Sequence, residues 1–469
     1  MARATLGVIL ANRDFFPDRL ISEARRDLMT LFAELDIEPV ILDENDTKLG
    51  SVETFQHARR CAELFRQHRD KIEGVLVCLP NFGDEKGVAD TLRMAELGVP
   101  VLIQAYPDDL DQLSVERRRD AFCGKISVCN NLRQYGIPFT LTDEHTVHPL
   151  SDSFKADLRK FIGVCKVKGG MKGLRLGAVG ARPGNFNTVR YSEKLLEEAG
   201  ISVVTVDFSE ILGNANRFSD DHPRVTDKLG EIRAYARHGG VPTQKMLLMA
   251  KLGLALGDWM AANEIKATAL QCWTSLQQNY GVNACTIMSM MSEQLLPSAC
   301  EVDITGVLAM YALQLASGKP SALVDWNNNY AGDPDKCVFF HCGNWAKSFV
   351  PDIEISVAPI LGSTLGVENT YGAMAGRTPA GPMSFARVST DDREGCIRAY
   401  VGEGRFTDDP LQTFGNRAVV EVPGLKKLMH YICKNGFEHH VAMSGAHVAD
   451  VLVEAFENYL GWETYHHQG

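Results

Sequence analysis

No CxxC pair occurs in this 469-residue chain, although it carries 12 cysteines. They stand singly, mostly inside apolar stretches such as Val77-Cys78-Leu79. That excludes a thiolate zinc motif and a disulfide scaffold, and points to buried, reduced thiols. No segment approaches the roughly 18 uninterrupted apolar residues of a membrane span. The N-terminal apolar stretch, Leu6 to Leu10, stops at Asn12, Arg13 and Asp14, too early for the core of an export signal. The expectation is a cytoplasmic protein with no membrane partner. Basic charge is also in deficit: 48 Lys and Arg against 59 Asp and Glu give a net charge of -11. Without a concentrated basic face, nucleic acid is excluded as the main partner. There is no Walker lysine motif, no HExxH and no GxSxG. The glycines of GAVGARPGNF, at 177, 180 and 184, miss the GxGxxG spacing of a dinucleotide site.

What is present is an ordinary globular composition, 45% hydrophobic and 23% charged, in a chain longer than one core usually supports. The first 160 residues alternate buried-strand runs (LGVIL, EPVILD, GVLVCLP, PVLIQAYP) with amphipathic patterns, such as the face formed by Val52, Phe55, Cys61, Leu64, Phe65 and Ile72. Strand and helix in alternation predict a parallel doubly wound sheet. The basic, glycine-rich KVKGGMKG (166 to 173) breaks that pattern, and GLRLGAVG restarts it. The α/β logic then continues through ISVVTVDF, IKATALQCW, SALVDW and CVFFHCG. Beyond about residue 355 a glycine and proline loop, GAMAGRTPAGP, precedes SFARVS, CIRAYVGEGRF and RAVVEVPG, which alternate as antiparallel strands do. A final helix is expected near VADVLVEAFENYL. The fold class is therefore α/β, with two Rossmann-like parallel-sheet domains (1–168 and 169–355) and a β-rich C-terminal domain (356–469).

The chemistry concentrates in PSACEVDITGVLAMYAL (297 to 313). Ile304, Val307, Leu308, Tyr311, Ala312 and Leu315 recur at helical spacing, and Gly318 and Pro320 supply a stop. Asp303 sits at the N-cap. Glu301 is left over in an apolar setting, where a buried carboxylate needs a cation or a hydroxyl to compensate it. Further along, SALV runs into Asp325 and CVFF runs into His341, while a His439-His440 pair follows the last domain's final turn. In open α/β sheets ligands settle at strand ends of this kind. Two carboxylates and imidazoles form a mixed oxygen and nitrogen set, suited to Mn²⁺, Mg²⁺ or Co²⁺.

The segments ACEVDITGVLAMYAL, LVDWNNNY, FFHCGNW and EHHVAMSGAH, in this order, resemble the L-fucose isomerase and L-arabinose isomerase family of metal-dependent aldose-ketose isomerases. The resemblance extends over nearly the whole chain, including Arg13 in ANRDFF and RRDAFCGKISVCNNLRQYG, and is closer to the fucose branch. It implies three domains, a divalent metal, and a homo-oligomer, trimer or hexamer, with active sites near subunit interfaces. It also implies that Glu301 and Asp325 are metal-bound acid/base carboxylates and that His440 is a metal ligand. His341 matches a position that ligates metal in the arabinose branch, and Arg13 a substrate-contacting position in the fucose branch.

The reaction expected of such a protein interconverts an open-chain aldose and ketose through an enediol. Glu301 and Asp325 would shuttle the protons at C1 and C2, beside a cation that stabilises the developing charge. Trp273, Asn327 and Arg13 are the candidates for a hydrophobic wall and hydroxyl recognition. The alternatives are an isomerase for an anionic, sulfonated sugar, with Arg13, Lys125 or Arg182 as counter-charge, and a non-catalytic sugar-binding protein.

Overall fold

In the computed structural model, which describes residues 3–469, the chain forms two compact units. One comprises the residues up to Gly169 with Glu454–Gly461, the other Gly170–Val453 with Trp462–Gly469. The first unit is built on a five-stranded parallel sheet in the order Ile37–Ile41, Ala4–Leu10, Gly74–Leu79, Val101–Ala105, Thr140–Leu141. Every residue of Ala4–Leu10, Gly74–Leu79 and Val101–Ala105 is buried, as in strands covered on both faces. The helix Phe55–Gln67 begins where the Thr54 hydroxyl accepts the His57 N–H. It buries Ala58, Cys61, Ala62 and Phe65, an i, i+3, i+4, i+7 stripe. Phe55, counted with that face in the sequence, is 56% exposed at the helix's first position, a turn ahead of the stripe.

The stretch KVKGGMKG does not interrupt the chain as its glycines suggest. The helix Asp152–Met171 runs through most of it, and Gly173, with φ of +66°, turns the chain afterwards. Gly170 lies so close to Leu315 that a Cβ there would come within 2.4 Å of the leucine side chain.

The second unit has two sheets. A four-stranded parallel sheet runs Ser202–Val206, Arg175–Val179, Ala267–Leu270, Ser298–Ala299. A nine-stranded mixed sheet runs Glu354–Ser356, Ala373–Arg377, Asn416–Glu421, Lys336–His341, Ser321–Asn329, His440–Ser444, Gly381–Asp391, Cys396–Thr407, Glu463–His467. Parallel α/β sheets followed by a large β-rich sheet are thus the architecture the sequence indicated.

The strands SALVDW and CVFFHCG depart from the reading of them as parallel strands of the second α/β domain. They pair antiparallel with each other and with strands near the C-terminus. Residues on either side of position 355 consequently share one sheet. A continuous apolar run marks a buried strand but carries no sign of its neighbour's direction. GAMAGRTPAGP, read as a loop, supplies the strand Ala373–Arg377 and the start of Gly381–Asp391. Pro379 falls between the two, where no ladder donor is required. SFARVS, CIRAYVGEGRF and RAVVEVPG do pair antiparallel, and the last helical segment is Ala449–Val453 followed by a π-helical turn, Glu454–Leu460. Among the described residues, no helix is long and apolar enough to cross a membrane.

Candidate metal centre

The chain leaves the strand Ser298–Ala299 through a turn in which Glu301 (φ +55°) and Val302 (φ +56°) are both left-handed. For a β-branched residue that conformation is an outlier, with a cost on the order of 1–3 kcal/mol. Hydrogen bonds offset the strain. The Asp303 N–H donates to the Cys300 carbonyl at 3.0 Å, and Asp303 Oδ1 caps the helix Ile304–Ser317 by accepting the Gly306 N–H at 2.8 Å. The helix ends at Gly318, left-handed at φ +66°, so both of its boundaries are those that the capping residue and the stop signal indicated.

The turn leaves the Glu301 side chain buried, with its two oxygens in different situations. Oε1 accepts the Trp273 indole N–H at 2.9 Å and the Cys272 thiol at 3.3 Å. Oε2 is buried and has no hydrogen-bond partner among the described residues, 3.7 Å from His341 Nε2 and 3.7 Å from His440 Nε2. Burial pushes the Glu301 pKa up, but the two imidazoles outweigh it and hold the carboxyl below its ordinary value. His341 is correspondingly held well above its ordinary value: burial opposes its charge, and Cys342, Glu301 and Asp325 favour it.

Sheet register brings in the remaining groups. Asp325 and His440 are directly opposite one another on the antiparallel strands Ser321–Asn329 and His440–Ser444, so both side chains emerge on one face. Asp325 Oδ1 lies 3.4 Å from His440 Nε2 and 3.5 Å from His439 Nε2. His341 closes the neighbouring strand, Lys336–His341. Phe186 flanks the centre, with its ring centroid 5.7 Å from that of His440 and 6.0 Å from that of Trp273.

Beneath these groups lies a buried charge network that the sequence did not disclose. Asp303 Oδ2 accepts His440 Nδ1–H at 2.8 Å and Arg387 Nη1–H at 2.6 Å. Arg387, with no solvent exposure, also donates from Nη2 to Asp303 Oδ1 and Thr305 Oγ1 and from Nε to Glu438 Oε2. The bond to Asp303 keeps a proton on His440 Nδ1 and turns Nε2 toward Glu301 and Asp325. Burial opposes ionisation of Asp303, yet Arg387 and His440 hold its carboxyl far below the usual range.

Because the folded value is depressed, the contribution of Asp303 to stability is complete well above its ordinary value of 3.8 and is lost as pH falls through and below that point. Urea midpoints should therefore fall more steeply below about pH 5 in the native chain than in Asp303→Asn. Equal slopes would contradict the assignment. Arg387→Met leaves two buried acids uncompensated and should cost about 3–5 kcal/mol in urea unfolding. A loss under about 1 kcal/mol would show that the network is solvated.

The donor set fits a divalent cation. An orphaned buried carboxylate oxygen costs a few kcal/mol unless a positive group meets it. Metal–ligand bonds of about 2.0–2.2 Å place neighbouring donors roughly 3–3.6 Å apart, close to the 3.7 Å from Glu301 Oε2 to His341 and to His440 and the 3.4 Å from Asp325 Oδ1 to His440. The donor atoms of Glu301, His341 and His440 form one compact triad, and those of Asp325, His439 and His440 another.

Of the residues singled out in the sequence, His341 and His440 are brought beside Glu301, and His440 also beside Asp325, with the two acids in separate triads. Trp273 joins them, as a hydrogen-bond donor to Glu301 rather than a bare apolar wall. Asn327 does not join them: it is exposed, in the bulge between Trp326 and Asn328. Arg13 belongs to the first unit, where it pairs with Glu85 and stacks on Phe82. Lys125 is buried in that unit, donating to Thr142 Oγ1 and the His145 carbonyl. Three contributors escaped sequence reasoning. Arg387 was legible only as a lone charge inside SFARVS, Glu438 only as the neighbour of the histidine pair, and Phe186 carried no signal.

Comparison with known proteins gives a consistent set of matches. A family model described as fucose/sulfoquinovose isomerase, N-terminal domain, matches residues 7–172, and one described as L-fucose isomerase, C-terminal domain, matches residues 339–467. Together they span more than half of the chain. The sulfoquinovose isomerase of Clostridium sp. (strain MSTE9) is 24% identical over 350 residues, 72% of this chain and 74% of that protein. The sulfoquinovose isomerase of Alkalicoccus urumqiensis is 28% identical over 295 residues, 61% and 63% of the two chains. That of Priestia aryabhattai is 26% identical over 399 residues, 82% and 83%.

Proposed function

We propose a function from one premise, that this chain belongs to the fucose isomerase family and is an aldose-ketose isomerase: Glu301, Asp325, His440 and His341 hold a divalent metal, and the two acids move the protons. Membership of an enzyme family removes the reading as a non-catalytic sugar-binding protein. The observation that carries the proposal is the unpartnered Glu301 Oε2 between two imidazole Nε2 atoms. Manganese suits this oxygen and nitrogen set, with magnesium or cobalt as alternatives. When bound, the ion supplies Lewis-acid stabilisation of the charge that develops on the sugar oxygens.

The protein's own groups do the rest. Glu301, held below its ordinary pKa by two imidazoles, is ionised at neutral pH and able to accept the C2 proton of an opened sugar. Asp325, more exposed and beside His439, serves the hydroxyl protons. Trp273 holds Glu301 Oε1 so that Oε2 stays directed at the centre. Exhaustive chelation should abolish turnover, and Mn²⁺ should restore it with deuterium from heavy water appearing at C1 or C2 of the recovered sugar. Full turnover by chelated protein, or transfer with no solvent deuterium, would refute this mechanism.

A sulfonated substrate is the narrower reading, and the relatives' names favour it. A cavity of about 880 Å³ in the second unit is lined by Val302 and Glu438 and by Arg182, Arg190, Arg398 and Lys434. Among the cations considered from the sequence, Arg182 is the one in this cavity. Arg182→Ala should lower kcat/KM for sulfoquinovose about 10- to 100-fold, the worth of one hydrogen bond to a charged group, and leave neutral aldoses unchanged. Equal losses on both sugars would count against an anionic substrate. The 12 free cysteines suit a reducing cytoplasm. Exposed Phe15, Leu110, Val115 and Phe122 suit a homo-oligomer, which light scattering tests.

A further inference from the structure

The cavity that holds Arg182 carries more positive charge than one sulfonate balances. Arg190, Arg393, Arg398 and Lys434 line it beside Arg182, against three acids, Asp391, Asp392 and Glu438. This is a local excess of cations in a chain of net charge -11. Two of the acids are already engaged. Glu438 accepts from Arg387 through Oε2 and from Ser389 through Oε1. Asp391 pairs with Arg398 at 3.2 Å through Oδ2, and its Oδ1 accepts the backbone N–H groups of Arg393 and Glu394. The side chains of Arg182 and Arg190 donate to backbone carbonyls of their own loop. Among the described residues, neither they nor Arg393 and Lys434 form an ion pair. Arg398 is held firmly, 20% exposed, with its guanidinium carbon 4.7 Å from the centroid of the Phe437 ring. Its Nε is buried and has no hydrogen-bond partner among the described residues, and a buried donor of that kind calls for an acceptor.

We infer that Arg393, Arg398 and Lys434 form an oxyanion site of their own in this cavity, separate from the position Arg182 gives a sulfonate, and that its ligand is a doubly charged phosphate group, free or esterified to a small molecule. The three cations come from adjoining elements. Arg393 lies in the turn between the strands Gly381–Asp391 and Cys396–Thr407, Arg398 lies on the second of these strands, and Lys434 ends the helix Leu425–Lys434. A guanidinium presents paired donors to phosphate oxygens, and an ammonium adds a point charge. Concave walls concentrate the field of such a set. A dianion offsets the surplus of positive charge that a singly charged sulfonate leaves in place. None of Glu301, Asp325, His341 and His440 lines the cavity, so the site is not the metal centre.

The test is calorimetric titration of the full-length, Mg²⁺-saturated chain with inorganic phosphate at fixed ionic strength, which should show one site per chain. Arg398→Met and Lys434→Met should each weaken binding about 10- to 100-fold, the worth of one bond to a charged group. Circular dichroism checks the fold of Arg398→Met, and the exposed Lys434 keeps the test decisive if that variant fails to fold. Arg182→Ala should have the smaller effect. Glycerol 3-phosphate, titrated in the same way, separates the two sources: tighter binding than inorganic phosphate supports an ester as the ligand, and weaker binding supports the free ion. No binding of either compound to the native chain, or phosphate binding that Lys434→Met leaves unchanged, would overturn the site. A loss with Arg182→Ala as large as that with Lys434→Met would place phosphate at the sulfonate position. That result would overturn a separate site and leave the isomerase reading standing.

Discussion

Glu301→Gln should lower kcat by about 1,000-fold or more while the far-ultraviolet circular dichroism spectrum stays that of the native chain. The amide can still accept the Trp273 indole N–H and the Cys272 thiol through its oxygen, so the turn at 301–302 keeps its anchors. What disappears is the charge at the end facing His341 and His440. Without it the proposed centre loses both an anionic ligand and the group proposed to accept a carbon-bound proton. Glutamine cannot act as a base near neutral pH, which is why the expected loss is larger than misplacement of a ligand alone would give. Turnover within a factor of about ten of native would mean that Glu301 is a structural acid, compensated by imidazoles and nothing more.

Asp303→Asn should weaken Mn²⁺ binding about 10- to 100-fold, the usual cost of removing a carboxylate that orients a metal-bound imidazole, and saturating Mn²⁺ should recover most of kcat. Asp303 lies one residue beyond the turn and reaches His440 through Nδ1, the nitrogen on the far side of the ring from Glu301. Asparagine can offer one oxygen, but Arg387 competes for it, so the imidazole is no longer fixed in one tautomer and one orientation. Because the residue acts through another, the loss should appear in the metal dissociation constant, read by electron paramagnetic resonance of free Mn²⁺. An unchanged constant with a collapsed kcat would instead place Asp303 among the groups that touch substrate.

Much of this arrangement is legible in the sequence, and the reasons divide by range. The helix after Asp303 declares itself locally, through a capping residue, an apolar period and a glycine stop; the cap and the stop survive in the fold, while burial extends round most of the helix, to Thr305, Ala309 and Gln314. The parallel sheet of the first unit is equally local, since long apolar strands alternate with amphipathic helices. Glu301 stands out because an acid without an evident partner in an apolar turn demands compensation. Asp325 and His440 are different: they meet because two strands more than a hundred residues apart pair in one register, and no local pattern encodes that register. Arg387 shows the same limit. In SFARVS it is a single charge in an alternating strand, and only the packing of the helix Ile304–Ser317 and of Glu438 around it makes it a buried counter-ion.

The most direct measurement is an anomalous-difference map, recorded near the manganese edge, from crystals grown with Mn²⁺. The expected result is one strong peak within about 2.0–2.4 Å of Glu301 Oε2, Asp325 and His440 Nε2, with His341 beside it. A map with manganese bound elsewhere, or with these side chains turned to partners that leave no common point between them, would contradict the proposed centre.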